Sequence, residues 1–242
     1  VAYHATKCGI SSLIVMPLTT PLVKVTATRG FGAEVLLHGA NYDEAHAEAK
    51  RLCEDQGLTF IHPFDDLAVM AGQGTIGLEL LEQVPQLEAV VVPIGGGGLI
   101  GGSGCAIKEA CAQAGRPEIR MVGVQTSRVP SMVVAVEAHR PVTLEPATTI
   151  ADGIAVRRAG DLTLPMIERY VDEIVTVDED EIAAAILVLL EREKTLAEGA
   201  GAAALAALLQ HRTSLKGAHT AVLVCGGNID VTLLSRIIER GL

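Results

Sequence analysis

The feature that most constrains this chain lies at residues 90–99. Val90, Val91, Val92, Pro93 and Ile94 run directly into four consecutive glycines, Gly95, Gly96, Gly97 and Gly98, and then into Leu99 and a helical pattern that lasts to Ala112. A short apolar run of this kind reads as a buried strand that passes through bare backbone into a helix. Without side chains, successive N–H groups can converge on an anion, and the helix N-terminus adds about half a positive charge. A phosphate site is therefore expected, with a flexible turn as the bland alternative. The loop carries no lysine and no G-K-[ST], which disfavours a nucleotide-binding P-loop. Gly98, Gly101, Gly102 and Gly104 copy part of a dinucleotide fingerprint, but Gln125 stands where that motif needs an acidic residue.

Around this feature strands and helices alternate. Strands are expected at residues 12–16, 33–37 and 59–62, with helices at 21–30 and 42–56, so the first lobe should hold a parallel sheet of three strands. A second series begins at Ala71, with a helix at 74–82. Strands are then expected at 89–94, 121–125, 173–177 and 221–224, and helices at 131–137, 180–191 and 201–209. The seam falls near Pro63–Asp66, dividing residues 1–62 from 63–242. The fold class is α/β: two lobes of parallel-rich twisted sheets flanked by helices. An incomplete first lobe would leave a sheet edge and apolar helix faces uncovered, so the isolated chain is expected to be poorly stable or self-associated.

Composition narrows the partners. Apolar residues make up 49% of the 242, but aromatic residues only 2%, so the core must be built from small and aliphatic side chains, which let helices sit close on a sheet. The net charge of −10 repels nucleic acid and anionic membranes. No apolar run is long enough to span a bilayer. Cys8, Cys53, Cys105, Cys111 and Cys225 are odd in number and contain no C-x-x-C, which reads as reduced cytoplasmic thiols and no metal site. Val1 and the residues after it read as a helix already in progress, so an upstream segment is expected.

Three further motifs carry candidate chemistry. Cys225-Gly226-Gly227-Asn228 ends a second apolar strand, a place where ligands bind in open α/β sheets, although Cys before Gly-Gly is often plain packing. Glu198-Gly199-Ala200-Gly201 opens an apolar helix, where a carboxylate is stabilised without any ligand. Ala151-Asp152-Gly153 reads first as a turn.

In this order Ala71-Gly72-Gln73-Gly74-Thr75, the 93–99 glycine loop, Ala151-Asp152-Gly153, Glu198-Gly199-Ala200-Gly201 and Cys225-Gly226-Gly227-Asn228 resemble the threonine dehydratase family. That family belongs to the tryptophan-synthase-β-like, fold type II pyridoxal-phosphate enzymes. Met16-Pro17, Lys24-Val25 and Gly32-Ala33-Glu34-Val35 resemble the same family's small lobe, so the likeness covers essentially the whole chain.

The resemblance implies pyridoxal 5′-phosphate as cofactor, with its phosphate on Gly95, Gly96, Gly97, Gly98 and Leu99. It implies Cys225 at the pyridine nitrogen, where serine is commoner, and Gly153 and Glu198 on the cofactor face. A neutral thiol leaves the ring a weaker electron sink than a carboxylate would, which favours prompt β-elimination. It further implies a small hydroxy amino acid substrate, self-association, and conversion of L-threonine to 2-oxobutyrate and ammonia. The family's Schiff-base lysine lies in a Ser-Phe-Lys segment before the position matched by Val1. None of Lys7, Lys24, Lys50, Lys108, Lys194 and Lys216 has that context, so no catalytic lysine is assigned. Racemase-like relatives place acidic metal ligands where this chain has Gln125 and Ser131, which argues against a divalent ion there. Serine or hydroxyaspartate racemase-dehydratase activity, and an inactive cofactor-binding fragment, are the alternatives.

Overall fold

The computed structural model describes residues 1–215 and 218–240. They form two compact units, Val1–Ile61 and His62–Leu242.

In the first unit β1 (Leu13–Met16) and β2 (Glu34–Leu37) pair in parallel, with Leu13 opposite Glu34 and Met16 opposite Leu37. α1 (Ala2–Lys7) precedes them, and α2 (Leu22–Gly30) links them. α3 (Tyr42–Gln56) follows, and its ends match the sequence expectation because strong local signals set both. At the start, the Asn41 side chain accepts the Glu44 N–H at 3.0 Å. At the end, Gly57 adopts the left-handed conformation at φ 65°. Residues 59–62 are not a strand, and the described sheet of this unit has two strands rather than three. Thr59, Phe60 and Ile61 have strand propensity but gain no neighbouring ladder, and Leu58 and Ile61 remain exposed. Propensity without a pairing partner does not make a strand.

The second unit is built on a four-stranded parallel sheet in the order β5-β4-β3-β6. Its strands are β3 (Ala89–Pro93), β4 (Arg120–Thr126), β5 (Glu173–Val177) and β6 (Thr220–Val222). Both faces of β3 are buried, and the pleat sorts its valines. Val90 and Val92 pack against Ile100 and Ile107 of α5 (Gly98–Gln113), Met132 of α6 (Ser131–Ala138) and Ile167 of α7 (Thr163–Tyr170). Val91 faces the opposite layer with α8 (Glu179–Arg192), α9 (Gly199–Leu209) and Ile237 of α10 (Val231–Arg240). A parallel sheet covered on both faces explains the unbroken apolar strands.

α4 (Leu67–Gln83) starts well before the expected Gly74, because the Asp66 side chain caps it by accepting the Ala68 and Val69 N–H groups. Gly74 and Gly77 do not punctuate this helix. They let it approach α5, since a side chain at Gly77 would meet the Ser103 carbonyl at 2.7 Å. α7 and α10 were not anticipated from sequence. No helix among the described residues is long and apolar enough to cross a membrane.

Candidate functional site

The register of the second unit places two glycine-bearing strand ends side by side. β3 and β6 run parallel with Val91 opposite Val222, and the Leu223 N–H continues the pairing to the Val91 carbonyl at 3.0 Å. Carrying that register forward three residues sets Cys225 level with Ile94, just before the tetraglycine. The chain steps from β3 through β4 to β5 on one side and then returns to add β6 on the other side of β3, so the C-terminal ends of β3 and β6 lie where the strand order reverses, the place where α/β sheets leave a crevice.

The remaining candidates close around the same edge. A Cβ built on Gly95 would lie 3.3 Å from Ile154 Cα and 3.5 Å from the Gly153 carbonyl. One built on Gly153 would lie 3.2 Å from Glu198 Oε1, and one on Gly226 would lie 2.6 Å from the same oxygen. The Glu198 N–H donates to the Gly226 carbonyl at 3.1 Å, and Glu198 Oε2 accepts the Asn228 N–H at 3.1 Å. Gly95, Gly153, Glu198 and the Cys225–Gly226 turn are therefore contiguous. Gly96, Gly97, Gly98 and Leu99 carry the loop on into the first turn of α5.

Gly97 caps α5 with φ 99°, a left-handed conformation that residues with side chains rarely adopt. Gly96, Gly97 and Gly98 are buried. Among the described residues, no backbone or side-chain acceptor meets the N–H groups of residues 95–98. Buried amides without partners are rare and costly, and a helix N-terminus adds positive potential. These donors fit a phosphate, which supplies several acceptor oxygens and negative charge together.

Cys225 is exposed at the end of its strand. Desolvation by the surrounding atoms, and secondly the Glu198 carboxylate, push its thiol pKa up. It therefore presents a neutral S–H. Gln125 and Ser131 are fully buried and committed elsewhere: Gln125 Oε1 accepts the Met132 and Val133 N–H groups at 2.9 and 3.1 Å, and Ser131 donates to the Val156 carbonyl at 2.6 Å.

Of the lysines, Lys108 binds Glu118 and Asp172 beside the N-terminal ends of β4 and β5, the opposite end of the sheet from the glycines. Burial opposes its charge, but those two carboxylates prevail and raise its pKa. Lys194 donates to the Glu191 carbonyl at 2.5 Å, and Lys7 lies 4.8 Å from the Tyr3 ring centre. Lys24 and Lys50 belong to helices of the first unit. Lys216 lies outside the described residues.

Sequence reasoning missed the support behind the loop. The Phe64 ring packs directly on Gly96, leaving no room for a side chain there. Asp65 accepts three backbone N–H groups, from Asp161 at 3.0 Å, Leu162 at 2.8 Å and Thr163 at 3.1 Å. The Thr163 hydroxyl donates to the Gly96 carbonyl at 2.6 Å. From the sequence Pro63–Asp66 reads only as a seam, and the one local clue is a pair of aspartates ahead of a helix.

Fold and site together define an α/β protein with a row of main-chain amides, without acceptors among the described residues, at the carboxyl edge of a parallel sheet. The chain belongs to the family of pyridoxal-phosphate dependent enzymes, whose model matches residues 1–226. It is 50% identical over its whole length to an L-threonine ammonia-lyase of Thermotoga maritima, and covers 59% of that protein. Its fold matches the processed form of threonine deaminase isoform 2 from Solanum lycopersicum with a TM-score of 0.88 at 34% identity, over 99% of this chain and 69% of that one. It also matches maize serine racemase with a TM-score of 0.89 at 33% identity, over 100% of this chain and 73% of that one. The chain thus spans about three fifths of the length of the curated relative.

Proposed function

We propose that this chain supplies the cofactor-binding part of a threonine dehydratase, which converts L-threonine to 2-oxobutyrate and ammonia by β-elimination. The observation that carries the reading is the row of amides at residues 95–98, three of them buried and none with an acceptor among the described residues, contiguous with Gly153, Glu198 and Cys225. The 50% identity to a threonine ammonia-lyase, over the whole of this chain, supports the choice of substrate.

In this reading His62–Leu242 is the cofactor lobe, and Val1–Ile61 belongs to the small lobe. Gly95, Gly96, Gly97, Gly98 and Leu99 hold the phosphate with main-chain donors. Gly153 and Glu198 line the ring, and Cys225 meets the pyridine nitrogen. When bound, pyridoxal phosphate supplies the electron sink that stabilises charge left by removal of the substrate's Cα proton. The part this chain plays is electrostatic. Fixed amides steady the phosphate without reorganising during reaction. The Cys225 thiol, held neutral, offers the ring nitrogen no negative charge that would keep it protonated. Self-association and a hydroxy amino acid substrate complete the proposal.

The test is 2-oxobutyrate formation from L-threonine by the protein as its natural gene encodes it, saturated with pyridoxal phosphate. No 2-oxobutyrate from cofactor-loaded protein rejects the assignment. The likeness to maize serine racemase gives a second reading a specific footing, so both enantiomers of serine belong in the assay. Interconversion of the two faster than ammonia release would favour racemisation.

A further inference from the structure

We propose that Thr163 is a positioning residue that sets the direction of the Gly97 amide in the phosphate cradle, and that Asp65 holds Thr163 in place. This inference rests on the reading that the glycine loop binds the cofactor phosphate.

Gly96 C=O and Gly97 N–H share one planar trans peptide, so they point in opposite directions. The Thr163 hydroxyl anchors that carbonyl at 2.6 Å. Pinning the oxygen on the Thr163 side therefore turns the Gly97 N–H to the opposite side of the loop. Glycine at both positions leaves this peptide free to rotate in the absence of such an anchor. A rotated peptide would present a carbonyl to the phosphate and repel it.

The anchor is itself held. Thr163 is fully buried at the first position of α7, where its own residues provide no cap: the residue before it is Leu162. The cap comes from Asp65, whose carboxylate accepts the N–H groups of Asp161, Leu162 and Thr163. Asp65 is fixed in turn by the local turn at His62, whose Nδ1 accepts the Asp65 N–H at 2.7 Å. A Cβ on Gly97 would meet Thr163 Cβ at 2.9 Å, so loop and anchor lie in direct contact.

The experiment compares ligands that differ only in the phosphate. Wild type, Thr163→Val and Thr163→Ser, in the protein as its natural gene encodes it, are titrated calorimetrically with pyridoxal 5′-phosphate and with pyridoxal, and the 31P shift of bound cofactor is recorded. Losing one anchored hydrogen bond should weaken pyridoxal phosphate by about tenfold in Thr163→Val, shift the 31P resonance, and leave pyridoxal within about twofold. Thr163→Ser, which keeps the hydroxyl, should restore binding. Equal losses for both ligands, or none for either, overturn the proposal. If Thr163→Val fails to fold, Thr163→Ala is held to the same criterion. Wild type that fails to bind pyridoxal phosphate at all refutes the underlying cofactor reading instead.

Discussion

Gly96→Ala is the sharpest perturbation of the cradle, because its consequence depends on one identifiable neighbour. A methyl there would sit closer than 3.0 Å to three atoms of the Phe64 ring. Carbon pairs rest at roughly 3.5–4.0 Å, so the ring must retreat by about 1 Å. Gly96 lacks the positive φ seen at Gly97, so the cost is steric and not conformational. Overpacking of this kind costs about 1–3 kcal/mol. Phe64→Ala should cost about 2–3 kcal/mol, below the range for fully buried phenylalanine because Phe64 is only half-buried. The two losses should not add. With the ring gone the new methyl has room, so the double variant should recover at least about 1 kcal/mol of the summed cost. Urea denaturation of the four proteins, with the slope checked for constancy, measures the coupling. Additivity within about 0.5 kcal/mol would refute the claim that Phe64 is what forbids a side chain at Gly96.

Two further outcomes follow from single contacts. Asp66→Ala removes the acceptor for the Ala68 and Val69 amides and should destabilise the second unit by about 1 kcal/mol, read by the denaturation midpoint; no change would mean that water caps α4 equally well. Glu198→Gln removes a negative charge beside Cys225, so the thiol pKa should fall toward its ordinary value and site-resolved alkylation should set in at lower pH; an unchanged pH profile would show that desolvation alone holds the thiol protonated.

The elements that the sequence made legible are those whose signals are local. α3 has Asn41 at one end and Gly57 at the other, and β5 carries the β-branched residues Ile174, Val175, Thr176 and Val177 in succession, so both match the expected bounds. The two glycine-ended strands could likewise be read as facing one ligand, because ligands in open α/β sheets bind beside the carboxyl ends of strands; that β3 and β6 are direct neighbours comes from the structure. α7 was invisible because its signal is not local. Leu162 is no cap, and Pro165 looks like a helix breaker, although in the first turn a missing N–H removes no helical bond. The cap that makes this helix possible comes from Asp65, 97 residues away from Leu162. Residues 59–62 failed in the converse way: strand-forming side chains found no strand to pair with.

Among the other α-helix starts of the second unit, all but that of α9 receive a side-chain cap. Asp66 caps α4, Gln125 caps α6 from a neighbouring strand, Asp65 caps α7, Asp178 forms a capping box on α8, and Asp230 accepts two amides at the start of α10. In a chain with ten more acidic than basic residues, four of these five caps are carboxylates. At α5 the chain places Gly97 instead, and the amides of residues 95–98, three of them buried, meet no acceptor among the described residues. A carboxylate there would satisfy the amides and at the same time repel a phosphate. Leaving them open costs folding free energy that only an incoming anion returns, so binding of a phosphorylated ligand and stability of this unit should rise together.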